Sequence, residues 1–160
     1  MNTERPEGFQ RVAQALAARG HAHAPLWLEV PARTSQEAAD VLKVSVGQIA
    51  KSVVFRRKAD DVAVLVVTSG DRRVDEKRVA AITGPLARAD ADFVKLRTGF
   101  SIGGVAPLAH SHEAVTLIDR ELFRFQQVWA AAGHPNAVFC ASPDDLVRLT
   151  AAPVADVVQA

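Results

Sequence analysis

Cysteine occurs once in this sequence, at Cys140. That excludes an internal disulfide and any zinc site built on several thiolates. The residue lies in the apolar run Ala137-Val-Phe-Cys-Ala141, the setting of a buried, inert thiol. Long hydrophobic runs are missing too: nothing approaches the roughly 20 apolar residues that a membrane span needs. The opening stretch Met1–Arg11 is polar and carries Glu4 and Glu7, without the apolar segment of a secretory signal. A cytoplasmic protein with no membrane partner is expected. Nor does one sign of charge dominate. Lys and Arg number 19 against 18 Asp and Glu, for a net charge of +1, so nothing global demands nucleic acid. No repeat, low-complexity tract or linker divides the 160 residues, which are expected to form one domain over 1–160.

What is present reads as an ordinary globular core, 49% hydrophobic and 23% charged. Phe9, Val12, Ala13 and Leu16 recur at helical spacing and predict a helix over 4–18, closed by Gly20. Residues 26–30 read as a strand. Thr34 opens a second helix, with Glu37 in capping-box spacing. Strands at 51–57 and 62–69 are joined by the polar Lys58-Ala-Asp-Asp61 in a hairpin. The second of them is apolar from Val62 to Val67, which places it centrally, buried on both faces. Asp75 caps a helix that ends at Gly84, with Val74 and Val79 as its hydrophobic staple. Asp90 opens another, stopped by Gly99. Strands follow at 115–119, 126–131 and 137–141. Ser142-Pro143 with Asp144 and Asp145 then starts a terminal helix. Hairpins mixed with crossovers predict an α+β fold.

Chemistry concentrates in two segments. Gly99-Phe-Ser-Ile-Gly-Gly-Val-Ala-Pro107 packs three glycines and a proline into nine residues. That suits neither a helix nor a strand interior, and it lets another molecule approach the main chain. Gly47-Gln-Ile-Ala-Lys51 delivers one lysine against an apolar segment. A lysine there is a point charge with three donors, suited to a phosphate, a ribose hydroxyl or a developing oxyanion. A solvated strand-edge lysine is the plainer alternative. Main-chain N–H groups of Gly103 and Gly104 are candidates for the same task.

Other patterns carry less. Gly99-Phe-Ser101-Ile-Gly103 matches the nucleophile elbow of serine hydrolases, with Asp119 and His134 downstream as partners. The elbow needs a strand before the serine and a helix after it. Here a helix precedes it and Gly104 and Pro107 follow, so Ser101 reads as a loop hydroxyl and a serine esterase as a minor alternative. The pairs His21/His23 and His110/His112 lack a third ligand at a recognisable spacing, and no metal site is expected. Eight basic residues lie between Lys51 and Arg78 against five acidic ones. Among them Arg56, Arg57, Lys58, Arg72 and Arg73 are candidates to meet phosphates, or else a solvated face of ordinary ion pairs.

Val46-Gly-Gln-Ile-Ala-Lys-Ser-Val-Val-Phe55, Thr68-Ser-Gly-Asp-Arg-Arg-Val-Asp75 and Thr98-Gly-Phe-Ser-Ile-Gly-Gly-Val-Ala-Pro-Leu108, in that order and spacing, resemble the YbaK/prolyl-tRNA-editing (EbsC-like) family. Weaker similarity runs on through Ile118-Asp119 and Gly133. The resemblance implies a mixed, largely antiparallel sheet flanked by helices. It also implies trans-editing: hydrolysis of the ester between a wrong amino acid and the 3′ end of a tRNA, commonly proline tRNA. Lys51 would lie near the terminal adenosine. Gly103 and Pro107 would form a Gly-x-x-x-Pro element, with Gly104 inside it, whose backbone positions the aminoacyl carbonyl. Phe100, Ser101, Ile102 and Gly133 are expected around the amino-acid pocket, and the five basic residues on acceptor-stem phosphates.

The resemblance implies no cofactor and no enzyme nucleophile; water or a group on the substrate attacks. An aminoacyl ester is already activated, so holding it beside oxyanion donors accounts for turnover. The implied partner is aminoacyl-tRNA, with docking on a synthetase left open. The chain departs from better-known members at Ala109-His110, where glycine is common. Its Ala131-Ala-Gly-His-Pro-Asn136 lacks the serine and lysine-arginine pattern of the cysteine-specific branch. The amino acid removed is therefore open, as is a non-catalytic tRNA- or synthetase-binding module on the same fold.

Overall fold

The computed structural model describes residues 5–160. Helix α1 (Glu7–Ala18) begins after Pro6, whose extended backbone marks the boundary, and it buries Val12 and Leu16. Of the expected helix over 4–18, Arg5 and Pro6 are not helical and residue 4 lies outside the described residues. Strand β1 is only Leu26–Trp27. The strand expected to run to residue 30 stops because Leu28 turns to Asn136, donating its N–H to that carbonyl and accepting from the Asn136 amide. Helix α2 (Ser35–Leu42) carries the expected capping box, Thr34 and Glu37 exchanging hydrogen bonds of 3.1 Å each.

The hairpin of β2 (Ile49–Arg57) and β3 (Ala63–Ser69) is the spine of the molecule, and every residue of β3 is buried. Then come α3 (Glu76–Thr83), β4 (Leu86–Arg88), α4 (Ala91–Thr98), β5 (Ala114–Asp119), β6 (Val128–Ala131), β7 (Ala137–Ala141), α5 (Pro143–Thr150) and β8 (Val154–Ala155). Strands β4 and β8, and the 3-10 turns at Val46–Gln48 and Arg120–Arg124, escape sequence reading because each is too short to show a period.

The sheet runs β1-β7-β6-β2-β3-β5-β8, with β4 beside β2. It is mixed: β1/β7, β6/β7, β2/β3 and β2/β4 are antiparallel, while β2/β6, β3/β5 and β5/β8 are parallel. Alternation along β3 feeds two cores. Leu65 and Val67 join Val12, Leu16, Phe100, Phe139 and Leu146 on one face; Val64 and Val66 meet Val79 of α3 on the other. This is an α+β architecture.

Strand β2 is where the sheet divides. Its start pairs with β6 at Ile49 and Ala50, and its end pairs with β4 from Phe55 to Arg57. Between these contacts Lys51, Ser52, Val53 and Val54 pair with β3 on one side and with no strand on the other. A sheet split in its middle leaves a gap floored by main chain.

Candidate active site

That gap is a cavity of about 430 Å³. Its floor is the free edge of β2, its sides are Ala130 and Ala131 of β6 and Ala89 beyond β4, and Gly103 with Ile102 lies across it. Most of the lining is apolar. The polar groups are Lys51, Ser52, Arg33, Trp129 and His134, with the Thr34–Ser35 start of α2 at one end.

Lys51 is the third residue of β2, not the residue at its head, because the strand starts at Ile49. Its side chain lies on the same sheet face as Thr68, its direct partner across the hairpin. Burial lowers the pKa of its ammonium below the ordinary lysine value; Arg73 lowers it further and Asp71 opposes. Asp71 itself is held by Arg124 at 2.9 Å and Arg72 at 3.2 Å. Among the described residues Lys51 has no ion-pair or hydrogen-bond partner, so its three donors are available to a ligand.

The glycine loop covers the cavity by a chain of local causes. Thr98 ends α4 and its hydroxyl donates to the Val94 carbonyl at 2.7 Å while accepting from the Phe100 N–H at 3.1 Å. Arg11 then clamps both ends of the loop. It donates to the Ala109 carbonyl at 2.7 Å and the Thr98 carbonyl at 3.2 Å, and its guanidinium lies 4.4 Å from the Phe100 ring centre. Phe100, expected at the amino-acid pocket, is 1% exposed and packs in the core, while its side of the loop also lines a second hollow with Ser101, Ile102 and Gly133. Ser101 and Ile102 are exposed at the rim.

Gly103 has φ +93°, a left-handed conformation that disfavours side chains, and it lines the cavity. Gly104 approaches the main chain of His134 so closely that a Cβ would sit 2.7 Å from the His134 Cα. The N–H of Gly104 donates to the Ser101 carbonyl at 3.0 Å. It is therefore engaged within the loop, and of the pair only Gly103 has an N–H with no acceptor among the described residues. Pro107 is buried and lies away from the cavity, beside Arg19 and His110. Gly133 packs against the backbone of Gly8 and, with Ser101, Ile102 and Arg33, borders a smaller hollow of about 330 Å³ next to the first.

His134 belongs to both hollows. Its ring lies 4.8 Å from that of Trp27, its Nδ1 accepts from the Asn136 N–H at 3.0 Å, and burial with the nearby Arg33 lowers its pKa. The serine-esterase arrangement is not assembled. Asp119 is fully buried with its two oxygens taken by the N–H groups of Glu121 and Val157, and Ser101 makes no hydrogen bond to a histidine among the described residues. Nor do three His, Cys, Asp or Glu side chains converge among the described residues.

The five basic residues do not form one patch. Arg56 pairs with Asp61 at 2.6 Å and Arg57 with Asp60 at 2.8 Å, beside Lys58 at the hairpin end of β2. Arg72 and Arg73 follow β3 at the opposite end, near Lys51. Arg57 lies six residues along β2 from Lys51, about 20 Å at the usual rise. Arg72 is paired with Asp71 and Glu121, whereas Arg73 is exposed and free of ion pairs among the described residues.

Sequence reasoning missed Arg33, Ser52 and Trp129. Ser52 was within reach, being next to Lys51 in a strand. Arg33 and Trp129 arrive from distant elements with no local signal. The buried Ser52 Oγ and Trp129 Nε1 both lack a hydrogen-bond partner among the described residues, which in a cavity wall marks unmet capacity to bind.

The profile of the aminoacyl-tRNA editing domain matches residues 29–149, which begins just after β1, runs into α5 and includes every residue lining the cavity. The chain belongs to the aminoacyl-tRNA editing domain family. A curated relative, the uncharacterized protein YwhH of Bacillus subtilis (strain 168), is 36% identical over 119 residues, covering 74% of this chain and 75% of that one. A proline–tRNA ligase of Thermoanaerobacter sp. (strain X514) is 30% identical over 94 residues, 56% of this chain but only 16% of the ligase. Among solved structures, a protein proposed to be a trans-editing enzyme for prolyl tRNA synthetase superposes with a TM-score of 0.90 at 37% identity, covering 98% of this chain and 100% of its own. No helix among the described residues is long and apolar enough to cross a membrane.

Proposed function

We propose that this chain is a trans-editing deacylase that hydrolyses the ester of a mischarged tRNA, with proline tRNA as its substrate. The observation that supports this most is that Lys51, partly buried and without a partner among the described residues, lines the same largely apolar cavity as Gly103, where the described residues assemble no nucleophile and base. Such a site suits a substrate that is already activated. Water adds to the ester carbonyl carbon, and the resulting oxyanion takes hydrogen bonds from donors such as the Gly103 N–H and Lys51. The C–O bond to the ribose then breaks, and the ribose oxygen leaves with a proton that the attacking water has given up. Because the donors sit in a low-dielectric cavity, each contributes more than it would in water.

The apolar walls fit a small aliphatic side chain, and selection between such side chains is worth roughly 1–3 kcal/mol per methylene. The test is release of amino acid from proline tRNA charged with proline, alanine, cysteine, serine or 2-aminobutyrate. Release of one non-proline amino acid with prolyl-tRNA spared is the expected result. Equal release of all five, or of none, would count against the reading.

A further inference from the structure

The free edge of β2 has a definite hydrogen-bonding phase. The Ile49 carbonyl accepts from the Gly70 N–H, and the Arg57 N–H donates to the Val62 carbonyl. Odd-numbered residues of β2 therefore bond toward β3, and even-numbered residues point their main-chain groups to the opposite edge. At Ala50 that edge is met by β6, and from Phe55 onward by β4. What remains facing the cavity is the N–H and carbonyl of Ser52 and the N–H of Val54. Buried main-chain groups almost always find partners. Here none is supplied by the described residues, and the adjacent Ser52 Oγ is buried without a partner too.

A carbonyl at one residue and an N–H two residues on, pointing the same way, form the acceptor–donor pair that one strand presents to another. An adenine edge carries the complement: the 6-amino group donates, and a ring nitrogen beside it accepts. Every aminoacyl-tRNA ends in an adenosine that bears the ester. We infer that the free edge of β2, the Ser52 carbonyl with the Val54 N–H, reads the terminal adenine of the substrate. The inference rests on the deacylase reading and extends it: Lys51, one residue before Ser52, then lies on the ribose side of the base. The apolar walls at Val53, Val105 and Val138 receive the faces of the purine.

Inosine tests the pairing, because an oxygen replaces the 6-amino donor and would face the Ser52 carbonyl. Titration calorimetry with AMP and IMP reads the base site without any reaction, and cleavage of the same mischarged tRNA ending in adenosine or inosine reads it during turnover. AMP is expected to bind at least ten-fold more tightly than IMP, with a matching gap in cleavage rate. Val54→Pro removes an N–H that belongs to no ladder, and it should erase that preference. If the variant does not fold, the comparison of AMP with IMP on the native protein decides alone. Equal handling of the two bases in binding and in cleavage overturns the inference, and undetectable binding of both nucleotides with equal cleavage does so as well. Cleavage without base preference leaves the deacylase reading standing. Selective AMP binding without cleavage supports the adenine site while removing that reading.

Discussion

Lys51 sets function against stability at the scale of one residue. Its lowered pKa means that the folded chain holds this proton less tightly than the unfolded chain does. Stability is therefore diminished at neutral pH and recovers as pH rises through the lowered value toward the ordinary lysine value of 10.5. Lys51→Met should melt at or above the native temperature, as residues kept for activity often limit stability. The pH dependence of cleavage carries the same signature. Relative to spontaneous hydrolysis, the enzymatic advantage should fall at alkaline pH with a midpoint below the ordinary lysine value. Lysine was legible in the sequence because a lone charge heading an apolar strand is conspicuous. Ser52 was not, since its contribution comes from the phase of a ladder that ends on one side only.

At the scale of elements the glycine loop is held by sequence-distant groups. Arg11 on α1 makes two charge-assisted bonds to loop carbonyls and an ion pair of 2.8 Å with Glu7. Arg11→Ala should cost about 2 kcal/mol, in line with hydrogen bonds from charged donors, and chemical denaturation would measure it. Gly104→Ala forces a methyl group onto the backbone of His134, so the loop must shift. Cleavage should drop at least ten-fold while the fold persists; native activity in that variant would show that loop placement is not limiting.

Ala109 has φ +65°, a left-handed conformation that favours glycine. Ala109→Gly relieves a left-handed alanine and should stabilise by up to about 1 kcal/mol, partly offset by chain entropy. The glycine loop, the capping box and the hairpin were all readable, since each rests on local chemistry. The clamp by Arg11, the short strand β4 and the role of Phe100 as core were not, because non-local contacts decide them.

For the whole molecule, two lowered histidines set the acid limit. Burial lowers the pKa of His110, whose Nε2 lies 2.8 Å from the Ala106 carbonyl, and Arg11 and Arg19 lower it further; His134 is lowered as well. A histidine with a depressed folded pKa stabilises fully above its ordinary value, and that stability is lost as pH falls through the lowered value. Melting temperature should therefore decline below about pH 6.5, and less steeply in His110→Gln. The division of the basic residues also predicts which of them meet RNA. Arg33, which lines the cavity, and Arg73, near Lys51, form no ion pair among the described residues, and replacing either by alanine should weaken tRNA binding and flatten its salt dependence. Replacing Arg56 or Arg57, paired at the far end of the hairpin, should not. Net charge and composition could not show this, because only the strand direction separates the two groups.

The central claim is that Lys51 in the split of the sheet acts on the ester. The most direct measurement is single-turnover deacylation of mischarged proline tRNA by the native protein and by Lys51→Met, with melting curves for both. The account predicts a loss of about 10²-fold or more in the variant, together with an unchanged or higher melting temperature. Native rates from a folded Lys51→Met protein would contradict it.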